Sequence, residues 1–158
     1  MRIEHQPQAL HVIGIELRTS NEEAFRTIPA FWQRFSQQGG PAQVAGRLSD
    51  EVYAVYTHFA HAGVDNQGVY SLVIGAAVAP DTALPAGLAR AVVPASRRAV
   101  FEVERGRFDR VGEAWQRIWQ RGDLAKTFIA EYERYGPDGR IEISIGLAPE
   151  ARPVTPAA

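Results

Sequence analysis

An internal echo constrains this chain more than any other feature. Trp32-Gln33-Arg34-Phe35 returns as Trp115-Gln116-Arg117-Ile118, 83 positions later. Neighbouring segments echo in the same order. Val12–Leu17 parallels Val100–Arg105 at an offset of 88. Val52–Tyr56 parallels Glu131–Tyr135 at 79, and Tyr70–Gly75 parallels Ile141–Gly146 at 71. Order is kept while the offset shrinks, as expected for a duplication whose first half has longer loops. Any fold for this chain has to place two copies of one unit.

Hydrophobic periodicity supplies the unit. Residues 9–18 and 97–105 read as strands. Ser20-Asn21-Glu22-Glu23 has the form of a capping box, with Ser20 at the N-cap and Glu23 three residues on. Phe25, Ile28, Phe31, Trp32 and Phe35 follow at helical spacing, and Pro29 inside that stretch predicts a kink or an irregular first turn. Gly39-Gly40-Pro41 ends the helix. Phe108, Val111, Trp115, Ile118 and Trp119 mark its counterpart, which ends at Gly122. Residues 51–59 and 69–78 form one hairpin pair, linked through Gly63, Asp65, Asn66 and Gly68. Residues 128–135 and 140–147 form the other, around the strong turn signal Gly136-Pro137-Asp138-Gly139. The expected class is α+β: duplicated β-α-β-β units, at about 8–79 and 96–148, build one antiparallel sheet with two helices on one face. That arrangement buries both aromatic helix stripes together. Residues 79–95 read as a linker, and 149–158 as a flexible tail after a single domain spanning 1–148.

Charge narrows the function. Seventeen basic residues against 18 acidic ones leave a formal net charge of −1, which provides no electrostatic footprint for nucleic acid. The arginines at 97, 98, 105, 107, 110 and 117 are interleaved with acids and read as a solvated, ion-paired face. There is no cysteine, so disulfides and thiolate metal sites are excluded. His58 and His61 lack the acidic neighbours a metal site needs. No metal or cofactor is expected. The N-terminus lacks an apolar signal core, and no apolar run approaches ~20 residues. These features predict a cytoplasmic protein away from membranes.

Glu133 stands out within this frame. It lies in the middle of a strand, a poor place for glutamate, and its repeat partner is Ala54. A pocket needing a single acid would break the symmetry in this way; a solvated sheet face or an ion pair with arginine would also accommodate it. Tyr135 and Tyr56 are repeat partners two residues further on, so they share the faces of Glu133 and Ala54. Their rings suit either cation-binding walls or ordinary packing. Trp32 and Trp115 suit the core first and ligand contact second.

Three stretches, in order, resemble the GyrI-like effector-binding family, a fold also described as SOUL-like. They are Ile28-Pro29-Ala30-Phe31-Trp32-Gln33-Arg34-Phe35, then Val52-Tyr53-Ala54-Val55-Tyr56-Thr57 with Gly68-Val69-Tyr70 and Ile74-Gly75, and finally Ala130-Glu131-Tyr132-Glu133-Arg134-Tyr135. Within that family the chain is most similar to standalone integron-associated effector-binding proteins. The family also provides the ligand-sensing half of multidrug-responsive regulators. The resemblance implies an aromatic cleft between the halves, with Glu133 as its buried acid facing flat cationic ligands. It extends the cleft to Tyr70 and Glu142 on the closing strands. Two departures fall in the last strand, where Ser144 replaces the family's aromatic residue and Gly146 its proline. A smaller wall at these positions would widen the cleft or change its ligand class.

The expected function is therefore non-covalent binding of small organic cations, without direct contact to nucleic acid. The repeat consumes nearly all of the chain and leaves no room for a helix-turn-helix. Two alternatives stay open. In one, the protein hydrolyses reactive electrophiles, with Glu133 as general base and Tyr135 or Tyr56 as proton donor. In the other, it acts through a protein partner, as an interaction or inhibitor module. Pairing of the second-half strands across a homodimer is compatible with all three.

Overall fold

The computed structural model describes residues 1–150; most of the segment read as a tail lies outside them. The elements run β1 (Arg2–Gln6), β2 (Leu10–Ser20), α1 (Ala24–Gln37), β3 (Val52–Thr57), β4 (Val69–Val78), β5 (Ala89–Val93), β6 (Ser96–Val103), α2 (Val111–Trp119), β7 (Ala130–Tyr135) and β8 (Ile141–Leu147). All eight strands join one antiparallel sheet in the order β1-β6-β8-β7-β3-β4-β2-β5. The β2-α1-β3-β4 and β6-α2-β7-β8 units lie side by side and meet at the β3–β7 seam.

The seam defines the symmetry of the molecule. Ala54 and Glu133 are repeat partners and also face each other across it. The local two-fold axis therefore passes through this one residue pair. Strand pairing sets the remaining equivalences. Gly14 opposite Gly75 corresponds to Val100 opposite Ser144. The first and last strands thus superpose two residues away from their sequence echoes, a shift that preserves which face each side chain occupies. Gly14 and Gly75 cross so closely that a Cβ on either would stand 1.9 Å from a carbonyl oxygen of the opposing strand.

Two strands were not anticipated. β1 is polar, and β5 lies within the stretch read as linker. Each is an edge strand borrowed from the other side of the repeat boundary. β1 precedes the first unit but pairs with β6 of the second, while β5 precedes the second but pairs with β2 of the first. The sheet curls so that β5 also approaches the back of β3 and β7. This closes a rear core of Val12, Val55, Val73, Ala91 and Val93.

Other expectations need correction. Ser20 does not cap α1; it is the last residue of β2, paired with Val69. Residues 21–23 turn the chain from the sheet into the helix layer, and α1 starts at Ala24 without a side-chain cap. The β ladder wins here over the local capping signal. Pro29 lies inside α1, which runs unbroken to Gln37. The second helix stops at Trp119, short of Gly122, and Phe108 belongs to a single 3-10 turn ahead of it. The aromatic stripes also do not merge. Phe31 and Phe35 pack with Ile15, Leu72 and Ile74, whereas Trp115 and Ile118 pack with Ile141, Ile143 and Ile145. An open space remains between the two clusters.

Candidate functional site

That space is a cavity of about 920 Å³ on the helix side of the β3–β7 seam. Its size falls in the range of small-molecule sites. Strand alternation puts Glu131, Glu133 and Tyr135 of β7 on this side, together with Tyr56 of β3; all four line the cavity. Trp32 of α1, Trp115 of α2 and Tyr70 of β4 also line it, on the helix and sheet sides.

Glu133 sits on the floor and is only 2% exposed. Its carboxylate accepts three hydrogen bonds. The Tyr56 hydroxyl and the Trp115 indole N–H each donate to Oε2 at 2.8 Å, and the Tyr135 hydroxyl donates to Oε1. All three donors are neutral. Burial raises the Glu133 pKa and the three donors lower it, leaving it above the usual carboxylate value. Burial, reinforced by the nearby carboxylate, holds both tyrosine hydroxyls protonated far above their ordinary range. No cationic side chain among the described residues forms an ion pair with Glu133. A carboxylate held this way keeps hydrogen-bonding satisfaction without charge compensation.

The aromatic groups follow the same two-fold axis. Trp115 meets Tyr56 edge-on at 5.5 Å, and Trp32 meets Tyr135 edge-on at 5.2 Å. Each helix thus presents its tryptophan to the tyrosine of the opposite half. The symmetry fails at one point, because only Trp115 reaches the carboxylate. Trp115 is buried and Trp32 half-buried, so of the two Trp32 has the surface free to meet an occupant. Phe25 and Phe108, read from sequence as core-facing, are 81% and 61% exposed. Both line the cavity, and Phe108 stacks on Tyr135 at 5.9 Å.

Tyr70 lies in the cavity wall. Burial pushes its hydroxyl pKa up to about 12, and it packs against Tyr56 and Phe59. Glu142 does not join the site. It lies on the other face of β8, ion-paired with Arg2 at 2.9 Å and Arg140 at 2.6 Å. Ser144 and Gly146 likewise do not line the cavity, so neither widens it. They accommodate Arg98, whose guanidinium donates to Ser144 Oγ and to the backbone oxygens of Ser144 and Ala130. A Cβ at position 146 would press to 3.2 Å from that guanidinium. Among the described residues no cluster of three or more His, Asp or Glu could hold a metal ion, and His61 pairs with Asp65 at 2.8 Å. No helix there is long and apolar enough to cross a membrane.

Sequence reasoning gave Glu131 no role, although alternation alone puts it on the face of Glu133. It is 4% exposed, and burial pushes its pKa up to about 7 despite the opposing influence of Arg98 and Lys126. A raised carboxyl pKa costs stability as pH rises. Between about 4.5 and 7 the folded state keeps a proton that the unfolded chain has lost, so unfolding free energy falls across that window. Glu131→Gln removes this loss. Its stability relative to wild type should improve by up to ~3 kcal/mol from pH 4.5 to 8, as read from denaturant melts at both pH values. A difference that stays constant with pH would show that Glu131 is not desolvated.

The comparisons with known proteins bear on the family and the fold. The family model of the integron-associated effector binding protein matches residues 2–145. No curated protein sequence matches the chain significantly. Among solved structures, an integron cassette protein from the mobile metagenome of Vibrio cholerae superposes with a TM-score of 0.72 at 20% identity, covering 93% of this chain and 95% of that one. The protein SAV2435, solved bound to tetraphenylphosphonium, superposes with a TM-score of 0.73 at 18% identity, covering 93% of each chain. At these identities the structural likeness is one of fold, and that fold is GyrI-like. With a family model spanning nearly its full described length, the chain belongs to the integron-associated effector binding proteins.

Proposed function

We propose that this protein binds aromatic organic cations non-covalently in the cavity over the β3–β7 seam, with Glu133 as the counter-charge. One observation carries the reading: a buried carboxylate on the cavity floor is held by three neutral donors and, among the described residues, by no cation. A cationic occupant supplies the missing charge. The surrounding rings add cation–π attraction of roughly 0.5–2 kcal/mol each. That SAV2435, of the same fold, was solved with an aromatic cation supports this ligand class.

Calorimetric titration with tetraphenylphosphonium and with neutral tetraphenylmethane-type isosteres tests the reading. The expected result is saturable binding of the cation alone, with the ligand recovered unchanged. Equal affinity for both would remove the charge from the explanation. Consumption of a ligand would instead move the protein to the enzymes.

A further inference from the structure

Glu131 and Glu133 stand two residues apart on β7 and point into the same cavity, yet their surroundings are opposite. Glu133 has three donors. Glu131, though 4% exposed, has no hydrogen-bond or ion-pair partner among the described residues. The two cations whose charge acts on it are engaged elsewhere. Arg98 spends its donors on Ser144, Ser96 and the Ala130 carbonyl, and Lys126 Nζ donates to the Arg121 carbonyl. Among the described residues no side-chain oxygen fully sealed from solvent lacks a partner. The Glu131 carboxylate therefore keeps what access it has, and the cavity it lines is the space that access opens to.

From this we infer that Glu131 is a second ligand-facing carboxylate, and that the cleft prefers flat aromatic dications with charges about 7 Å apart, the spacing of alternate residues on a strand. The inference rests on the binding role proposed above. The second position has its own aromatic surroundings. Tyr56 stands directly opposite Glu131 across the seam. Phe59 and Tyr70, in contact with each other, continue that wall. A monocation bound at Glu133 leaves the other carboxylate buried without compensation, whereas a dication neutralises both. Preference for the second charge follows from desolvation, since a buried charge left unpaired costs more than one that is paired.

The test uses dimethylviologen, a flat aromatic dication, beside its singly methylated analogue, which keeps the shape and loses one charge. Each is titrated calorimetrically at pH 8, where Glu131 is ionised, into wild type, Glu131→Gln and Glu133→Gln, with thermal melts confirming that the variants are folded. Wild type should bind the dication at least about tenfold more tightly than the monocation. Glu131→Gln should erase that ratio, losing about tenfold or more for the dication and less than about threefold for the monocation. Glu133→Gln should weaken both. A ratio unchanged in Glu131→Gln, or an equal loss for both ligands, overturns the role of Glu131 and leaves the binding function standing. If wild type binds neither viologen nor tetraphenylphosphonium, the binding function itself falls, and the second carboxylate with it.

Discussion

Trp115→Ala is expected to lower the unfolding free energy by about 3–5 kcal/mol, while Trp32→Ala, at the equivalent position, lowers it by about 1–2 kcal/mol. The two tryptophans share a place in the repeat and a type of ring contact, but not an environment. Trp115 is buried against Ile118, Ile141 and Ile143 and donates to Glu133. Its removal opens a core cavity and takes one of three donors from a buried carboxylate. Trp32 is half-buried at the cleft wall, so its loss should appear in ligand affinity more than in stability. Urea denaturation of both variants, paired with titration of tetraphenylphosphonium, separates the effects. Equal stability costs would mean that the two walls are equivalent and that the asymmetry at the carboxylate is without energetic weight.

Glu133→Gln should weaken an aromatic cation by about a hundredfold and leave a neutral isostere of the same shape within about threefold. A unit charge about 4 Å from a carboxylate, at an effective dielectric near 20, interacts by about 4 kcal/mol, and part of that is lost to desolvating the cation. The substitution is suited to this site. Trp115 and Tyr56 both donate to Oε2, so the amide oxygen of glutamine can take that place. The amide nitrogen then faces Tyr135, whose hydroxyl can turn to accept. Charge is removed while shape and hydrogen bonding remain. Affinity for the cation should also fall with acidification in wild type, because the raised pKa of Glu133 brings protonation closer to neutral pH. A variant that loses cation and neutral ligand alike would show that Glu133 shapes the cleft and does not read charge.

The two helices and the six strands of the repeat were legible because their periodicity is local and doubled. β1 and β5 were not. Arg2-Ile3-Glu4-His5-Gln6 carries no apolar run, and its pairing with β6 depends on a segment nearly 100 residues away. β5 is five residues long among prolines. Glu133 could be singled out because the repeat sets it against alanine, a contrast that required no knowledge of the cleft. Glu142 was misplaced for a reason also present in the sequence. In Ile141-Glu142-Ile143-Ser144-Ile145 the isoleucines face the helices, so Glu142 and Ser144 share the back of the sheet. Phe25 and Phe108 were assigned to the core by spacing alone. Spacing finds a helix face but does not reveal that the face stops at an opening.

The exchanged edge strands bear on how this site could exist at all. Two separate copies of one unit, each lending its leading strand to the other, would make a swapped homodimer with the same sheet. In such a dimer the residue on the axis meets itself. An acid there would face its own copy across the seam, and two buried carboxylates at cross-strand distance repel, so one would be held protonated. Joining the units in one chain frees the two axial positions to differ. Alanine at 54 gives the glutamate at 133 room and leaves it unopposed, so covalent fusion makes available a lone carboxylate, with no second acid to share its proton, on a symmetric scaffold.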